Sequence, residues 1–350
     1  MRILYIGGQI LKPKNGGDMI ENRNQRLLER ITKGNVTYMN PESLCSSSFS
    51  YRIGIGISNV FLQRLYEIIH KEKFDLVFVS QSIYGRCTRF LKKANENIPI
   101  ATFFHNAESD FFYELYKSDK TLRKFLYYKK ARYWEKCSTR YSDCIITLNE
   151  RDSQRLKAIY GRNGDFILPT TFRDSYIQTP VLQPDIDYLF LGSSFFANIE
   201  AVQFFLDNVL PFIPGFFCVA GKDMDKVGFK NINNRVQILG FVDNLNEIYA
   251  RSRFIVSPIF SGSGMKTKTA EALMFGKLII GTKEAFEGYE INKQCMIECN
   301  SAQEYIRTLK KLYNSELPII NEHARNHFLM HYDDECVIQD FQNLLYKLCQ

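Results

Sequence analysis

Short apolar runs rich in β-branched and aromatic residues recur along the chain, separated by longer stretches in which apolar positions return with a helical period. In the first half the strand-like runs fall near residues 2–8, 35–40, 74–80, 99–105, 143–149 and 166–169. Helix-like runs lie between them near 17–32, 56–72, 84–96, 120–142 and 150–160. Residues 171–185 hold two prolines and no clear period, and predict a linker. A second alternation follows. Its strands are expected near 187–193, 215–221, 235–240, 253–258, 278–282 and 295–299, and its helices near 196–209, 243–250, 265–275, 301–314, 318–331 and 335–348. Strand and helix in alternation predict an α/β fold with helices on both faces of a parallel sheet. Two such blocks predict two Rossmann-like doubly wound domains facing a cleft: 1–170, then a linker at 171–185, then 186–332. Residues 333–350 form a last helix. Ligands of such sheets bind at the carboxyl ends of the strands.

Composition narrows the class. The 350 residues are 45% hydrophobic and 24% charged, which is ordinary for a globular protein with a sizeable core. No apolar run approaches the roughly 18 to 20 residues of a membrane span. Met1-Arg-Ile-Leu-Tyr-Ile-Gly-Gly reads as a first buried strand rather than a signal peptide. Nine scattered cysteines without a CxxC pair suggest reduced thiols and a cytoplasmic station. The net charge of +7 suits an anionic partner without naming one.

The most informative stretch is Ser257-Pro-Ile-Phe-Ser-Gly-Ser-Gly-Met-Lys-Thr-Lys-Thr-Ala-Glu-Ala-Leu-Met-Phe-Gly276. A strand meets a glycine turn, two lysines follow, and a helix begins. Backbone N–H groups at a helix start have no intrahelical acceptor and the helix dipole favours an anion there. Taken alone, the turn fits a solvated loop equally well, because one glycine motif is weak evidence. Glu271 lies one turn after Lys268, on the same side of the helix. Lys277-Leu-Ile-Ile-Gly-Thr282 then reads as the next buried strand.

With these residues the chain resembles the GT-B glycosyltransferases, specifically the large retaining family 4. Its members often read Gly-Ser-Gly-x-Arg/Lys-x-Lys-x-x-Glu-Ala, then Gly-Lys-Pro-x-Val-x-Thr. Gly262, Ser263, Gly264, Lys266, Lys268, Glu271, Ala272, Gly276, Lys277 and Thr282 stand in register, while Leu278 replaces the usual proline. The resemblance implies a transferase that moves a sugar from a nucleoside diphosphate sugar, a UDP- or GDP-sugar, to a saccharide or lipid-linked acceptor. It implies no further cofactor and no metal. Surface polysaccharide or glycoconjugate assembly is the setting it suggests. The second domain would hold the donor and the first the acceptor, and the last helix would cross back to the first domain.

Site roles carry over residue by residue. Lys266 and Lys268 would stabilise the leaving diphosphate, with Gly262, Ser263, Gly264 and Met265 forming the turn that seats it. Glu271 would accept hydrogen bonds from the ribose hydroxyls. Gly16 and Gly17 match a Gly-Gly loop at the donor phosphate or acceptor. Gly192 and Ser193, then Gly221 and Lys222, end two strands near the phosphates. Phe241 and Val242 would flank the base. His105, at the end of a strand in Phe103-Phe-His-Asn-Ala-Glu108, would lie beside the transferred sugar and orient a hydroxyl or share a proton. Two departures stand out: Ser263 occupies the place of a second glutamate found near the sugar in many relatives, and Lys266 replaces an arginine, losing bidentate grip.

Other features read as structural. Asn149 fits a helix cap. His323, His327 and His331 recur every fourth residue, a spacing a metal can use, but lie far in sequence from the glycine turns. Asp185-Ile-Asp187 reads as solvated. Residues 117–134 are basic and aromatic with the only tryptophan. They fit a core-packed helix with a solvated basic face, or a helix lying on an anionic membrane, which would place the protein peripherally on the inner face of the cell membrane. No motif for nucleic acid accompanies them. Two rival functions keep the same fold, a sugar-nucleotide epimerase and a non-catalytic binding partner. A nicotinamide dehydrogenase does not fit, since no Gly-x-Gly-x-x-Gly follows the first strand.

Overall fold

The computed structural model describes residues 1–13, 15–43, 49–94, 97–178, 183–262 and 264–350. Part of the expected linker, residues 179–182, lies outside the described residues, as does Ser263. The chain divides into two compact units. The first comprises Met1–Pro13, Ile20–Pro169 and Val337–Gln350, the second Lys14–Met19 and Thr170–Cys336.

In the first unit six strands form one parallel sheet: β1 (Ile3–Ile6), β2 (Val36–Met39), β3 (Leu76–Val79), β4 (Ile100–Phe104), β5 (Cys144–Thr147) and β6 (Phe166–Ile167), in the order β2-β1-β3-β4-β5-β6. Strands β1, β3, β4 and β5 are buried along their whole length. That is why they read as unbroken apolar runs rather than alternating ones. Helix Glu335–Leu348 adds Phe341 and Leu345 to this unit's core; the Phe341 ring meets Phe78 at 6.4 Å and Phe166 at 6.2 Å.

The second unit repeats the plan with β7 (Ile186–Leu191), β8 (Phe217–Ala220), β9 (Val236–Leu239), β10 (Ser252–Ser257), β11 (Leu278–Gly281) and β12 (Met296–Glu298), ordered β12-β11-β10-β7-β8-β9. The strand order reverses between β7 and β10, so the loops leaving those strands border the crevice where a doubly wound sheet takes its ligand. Tyr188, Phe190, Phe205, Phe217 and Tyr305 centre its core.

Most expected elements stand within a residue or two of their predicted limits. Helix Glu108–Asp119 was not expected. It ends at Lys120, in the left-handed region (φ 51°), and helix Leu122–Tyr141 follows behind a Thr121 cap. Asn149 caps its helix as expected, its side chain accepting from Asp152 N at 2.8 Å. The aspartates at 185 and 187 are not merely solvated. Asp185 takes a two-pronged bond from Arg251 (3.0 and 2.7 Å), and Asp187 pairs with Arg253 at 3.1 Å.

Candidate functional site

After β10 the chain turns through Gly262 (φ 131°) and Gly264 (φ 64°) into helix Thr267–Met274. Lys266 is the N-cap residue, and its own side chain makes no cap. Ala270 N, deeper in the first turn, is met by Tyr289 Oη at 3.3 Å. Met265 is buried and its sulfur accepts from Thr170 N at 3.4 Å, so it anchors the turn from below.

Lys268 leans from this helix across to the end of β7. Its Nζ donates to Asn198 Oδ1 at 2.7 Å and sits 4.1 Å from the centre of the Phe190 ring. Asn198 in turn donates to Ser193 O at 2.9 Å. The β7 turn is thus tied to the ammonium through one amide. A side chain at Gly192 would meet both Asn198 Nδ2 and Lys268 Nζ at 2.8 Å. Gly221, at the end of β8 with φ 149°, is tighter still: a Cβ would stand 2.0 Å from Gly192 O. Both glycines are required because two strand ends and a lysine share one small space. Burial, followed by the neighbouring Lys266 charge, lowers the Lys268 pKa to about 7. A cation desolvated in this way gains most from an incoming anion.

Glu271 is buried and accepts from Tyr249 Oη at 3.0 Å. Tyr249 is stacked on Phe275 at 4.3 Å, which fixes the hydroxyl. Burial raises the Glu271 pKa to about 7, against the lowering effects of Tyr249 and Lys268. A surface pair between Lys268 and Glu271 does not form: Lys268 goes to Asn198 and Glu271 to Tyr249. Lys266 has a partner that sequence reasoning missed. Its Nζ pairs with Glu284 Oε1 at 2.7 Å and donates to Gly264 O at 3.2 Å.

The remaining second-unit candidates are more open. Lys222 is exposed, and its carbonyl accepts from Ser194 N at 3.0 Å. Phe241 follows β9 with 58% of its surface exposed, and Val242 is half-buried. Gly16 and Gly17 group with the second unit, and a Cβ on Gly16 would lie 3.2 Å from Thr267 Oγ1. Helix Gly16–Thr32 begins with them, one residue before its expected start. Asn15 Oδ1 accepts from Asp18 N at 3.0 Å, so this start already has a cap.

In the first unit His105 leaves the end of β4. Its Nε2 lies 3.1 Å from Ser80 O, a carbonyl, so Nε2 carries the proton and Nδ1 is the acceptor. Burial, with the Arg23 charge adding to it, lowers its pKa to about 4, so the ring is neutral at pH 7. The loop beyond it is held by a residue that sequence reasoning did not single out. Glu135, fully buried on helix Leu122–Tyr141, accepts from Glu108 N (2.8 Å), Ser109 N (3.1 Å), Ser82 Oγ (3.0 Å) and Tyr160 Oη (2.7 Å). A carboxylate from another helix thereby caps helix Glu108–Asp119. Burial and the Glu135 charge push the neighbouring Glu108 up to about 8. The acidic first turn, Glu108 and Asp110, was the available signal for that helix.

Three secondary features resolve. His327 Nε2 lies 2.8 Å from Glu290 O, and His331 Nδ1 lies 3.3 Å from Glu290 Oε2. Trp134 faces inward, donating to Ile53 O at 2.7 Å, so it offers no ring to a membrane. The outward side of the same helix instead shows Leu122, Leu126, Lys129, Tyr133, Lys136 and Arg140, all exposed and spaced as one stripe. No helix of the described residues is long and apolar enough to cross a membrane.

Residues 185–315 match the family model described as Glycosyl transferases group 1. No curated protein sequence matches the chain. Among solved structures, sucrose-phosphate synthase from Thermosynechococcus elongatus superposes with a TM-score of 0.76 at 11% identity, over 99% of each chain. HepE of Anabaena, in complex with UDP and glucose, gives 0.69 at 14% identity, over 99% of this chain and 100% of that one. A glycosyltransferase from Rickettsia africae gives 0.68 at 15%, over 100% and 99%. Likeness at such identities speaks for the fold, and the family match speaks for the domain that holds the glycine turn. Residues 185–315 thus match the group 1 glycosyl transferases, and the chain has the two-domain GT-B fold of these structural neighbours.

Proposed function

We propose that the protein moves a glycosyl group from a UDP- or GDP-sugar to a saccharide or lipid-linked saccharide, with retention at the anomeric carbon and without a divalent ion. The observation that carries this reading is the start of helix Thr267–Met274, whose N-cap residue Lys266 makes no side-chain cap, with Lys268 in its first turn, inside the residues that match the family. HepE, one of the structural neighbours, was solved with UDP-glucose, which supports a nucleotide sugar as donor.

In this reading the bond between the anomeric carbon and the diphosphate breaks as negative charge collects on the leaving phosphate. The helix start and the Lys268 ammonium meet that charge, the work a metal does in other transferases. Glu271 accepts from the ribose hydroxyls, with Tyr249 fixing the carboxylate. Gly192, Ser193, Gly221 and Lys222 border the phosphates, and Phe241 and Val242 the base. Neutral His105 accepts a hydroxyl hydrogen at Nδ1. The leaving phosphate takes the acceptor proton. Surface polysaccharide or glycoconjugate assembly is the setting, with the protein cytoplasmic and held at the inner face of the membrane by the stripe from Leu122 to Arg140.

A thermal-shift panel of UDP- and GDP-sugars tests the donor, followed by release of nucleoside diphosphate when saccharide acceptors are added, with and without chelator. Stabilisation by a nucleotide sugar and chelator-resistant release are expected. No stabilisation by any of them removes the donor assignment. Interconversion of the sugar without an acceptor would mark an epimerase instead.

A further inference from the structure

We infer that Glu284 holds the hydroxyls of the transferred sugar and makes the site prefer a nucleotide sugar over the bare nucleoside diphosphate. This rests on the donor reading above. A carboxylate beside an anion site works against that site. Glu284 is nonetheless built in. Its Oε1 is 2.7 Å from Lys266 Nζ, and the two side chains are only 19% and 12% exposed. Lys266 Nζ also lies 3.2 Å from Gly264 O, and a Cβ on Gly262 would be 3.5 Å from it. The carboxylate is therefore one ammonium group away from the glycine turn. Two further bonds fix its segment to the helix start: Thr269 Oγ1 donates to Ala285 O at 2.9 Å, and Tyr289 Oη donates to Lys266 O at 2.8 Å.

The two lysines consequently differ. Lys268 is held by a neutral amide, so no paired carboxylate offsets its charge toward the diphosphate. Lys266 is neutralised by Glu284, so it adds little net attraction for phosphate. What the pair presents together is a carboxylate held in a set orientation by an ammonium. A diphosphate has only acceptor oxygens and is repelled by it. A sugar presents hydroxyl donors, and a carboxylate is the strongest acceptor a protein can offer them. One residue thus pushes the two ligands in opposite directions, which a merely structural residue would not do.

Calorimetry of wild type, Glu284→Gln and Glu284→Ser with UDP, UDP-glucose, GDP and GDP-mannose tests this, with melting curves confirming that the variants are folded. In both variants the nucleoside diphosphate should bind as well as before or better. The nucleotide sugar should lose affinity, so that the ratio of the two dissociation constants rises by about ten- to a hundredfold, the loss of one charge-assisted hydrogen bond. A ratio unchanged from wild type, whether both affinities hold or fall together, overturns the assignment while leaving the donor reading in place. Wild type that binds none of the four removes the donor reading, and this assignment with it.

Discussion

If the proposed donor site is correct, Lys268 and Glu271 should make donor binding depend on pH in a form that can be worked out in advance. Burial lowers the lysine to about 7 and raises the glutamate to about 7. The diphosphate needs the lysine charged, and the ribose hydroxyls need the glutamate charged. The sign of each limb follows. Below pH 7 the free protein has Glu271 protonated, and binding must expel that proton. Above pH 7 the free protein has Lys268 neutral, and binding must take one up. Affinity should therefore peak near neutrality. Treated as independent titrations, the doubly charged form is about a quarter of the free protein at pH 7 and about a twelfth at pH 6 or 8. The dissociation constant should rise about threefold one unit from the optimum and about 25-fold two units away. Calorimetry with an intact nucleotide sugar is the suitable assay, because its diphosphate is esterified at both ends and does not titrate in this range. Buffers of different ionisation enthalpy then count the protons, expected to be released on the acid side and taken up on the alkaline side. Lys268→Met should abolish the alkaline limb alone and Glu271→Gln the acid limb alone. A flat wild-type profile, or an alkaline limb that survives in Lys268→Met, would refute the reasoning.

Two further predictions concern the first unit. Glu135→Ala strands four buried or half-buried donors, at Glu108 N, Ser109 N, Ser82 Oγ and Tyr160 Oη. It should cost about 3 kcal/mol or more in urea denaturation, and a loss under about 1 kcal/mol would show that the cap is dispensable. The outward stripe of helix Leu122–Tyr141 should bring the protein to phosphatidylglycerol vesicles in flotation but not to phosphatidylcholine ones. Reversing Lys129, Lys136 and Arg140 to glutamate should weaken that partition by about a hundredfold or more, at about 1 kcal/mol per basic residue; equal flotation of the variant would end the membrane assignment.

The architecture was legible because both sheets are parallel and buried on both faces. Their strands then show as apolar blocks, and most crossovers carry a helix with its own period. What escaped was set by partners distant in sequence. Helix Glu108–Asp119 has a poor apolar rhythm and takes its cap from Glu135, so its acidic first turn is the one local sign of it. The Gly16–Gly17 pair reads as a loop until Asn15 is seen to cap a helix that starts there. Trp134 looked like a membrane ring because its hydrogen bond to Ile53 O spans 81 residues. In the second unit the motif pointed to the lysines and Glu271 as candidates. Glu284 lies beyond the next strand and was invisible to a linear pattern, as was the stacked pair Tyr249 and Phe275 that sets the Glu271 carboxylate.

The core of the first unit includes Phe341 and Leu345, from a segment made more than 160 residues after Pro169. During synthesis, Phe78 and Phe166 must wait for their partner ring until the ribosome has passed residue 341. The second unit ends at Cys336 and is complete before then. The unit that starts first should finish last. A nascent chain stalled before Val337 would hold one closed sheet and one with its aromatic centre still wet, the stretch of its life when chaperones would matter most.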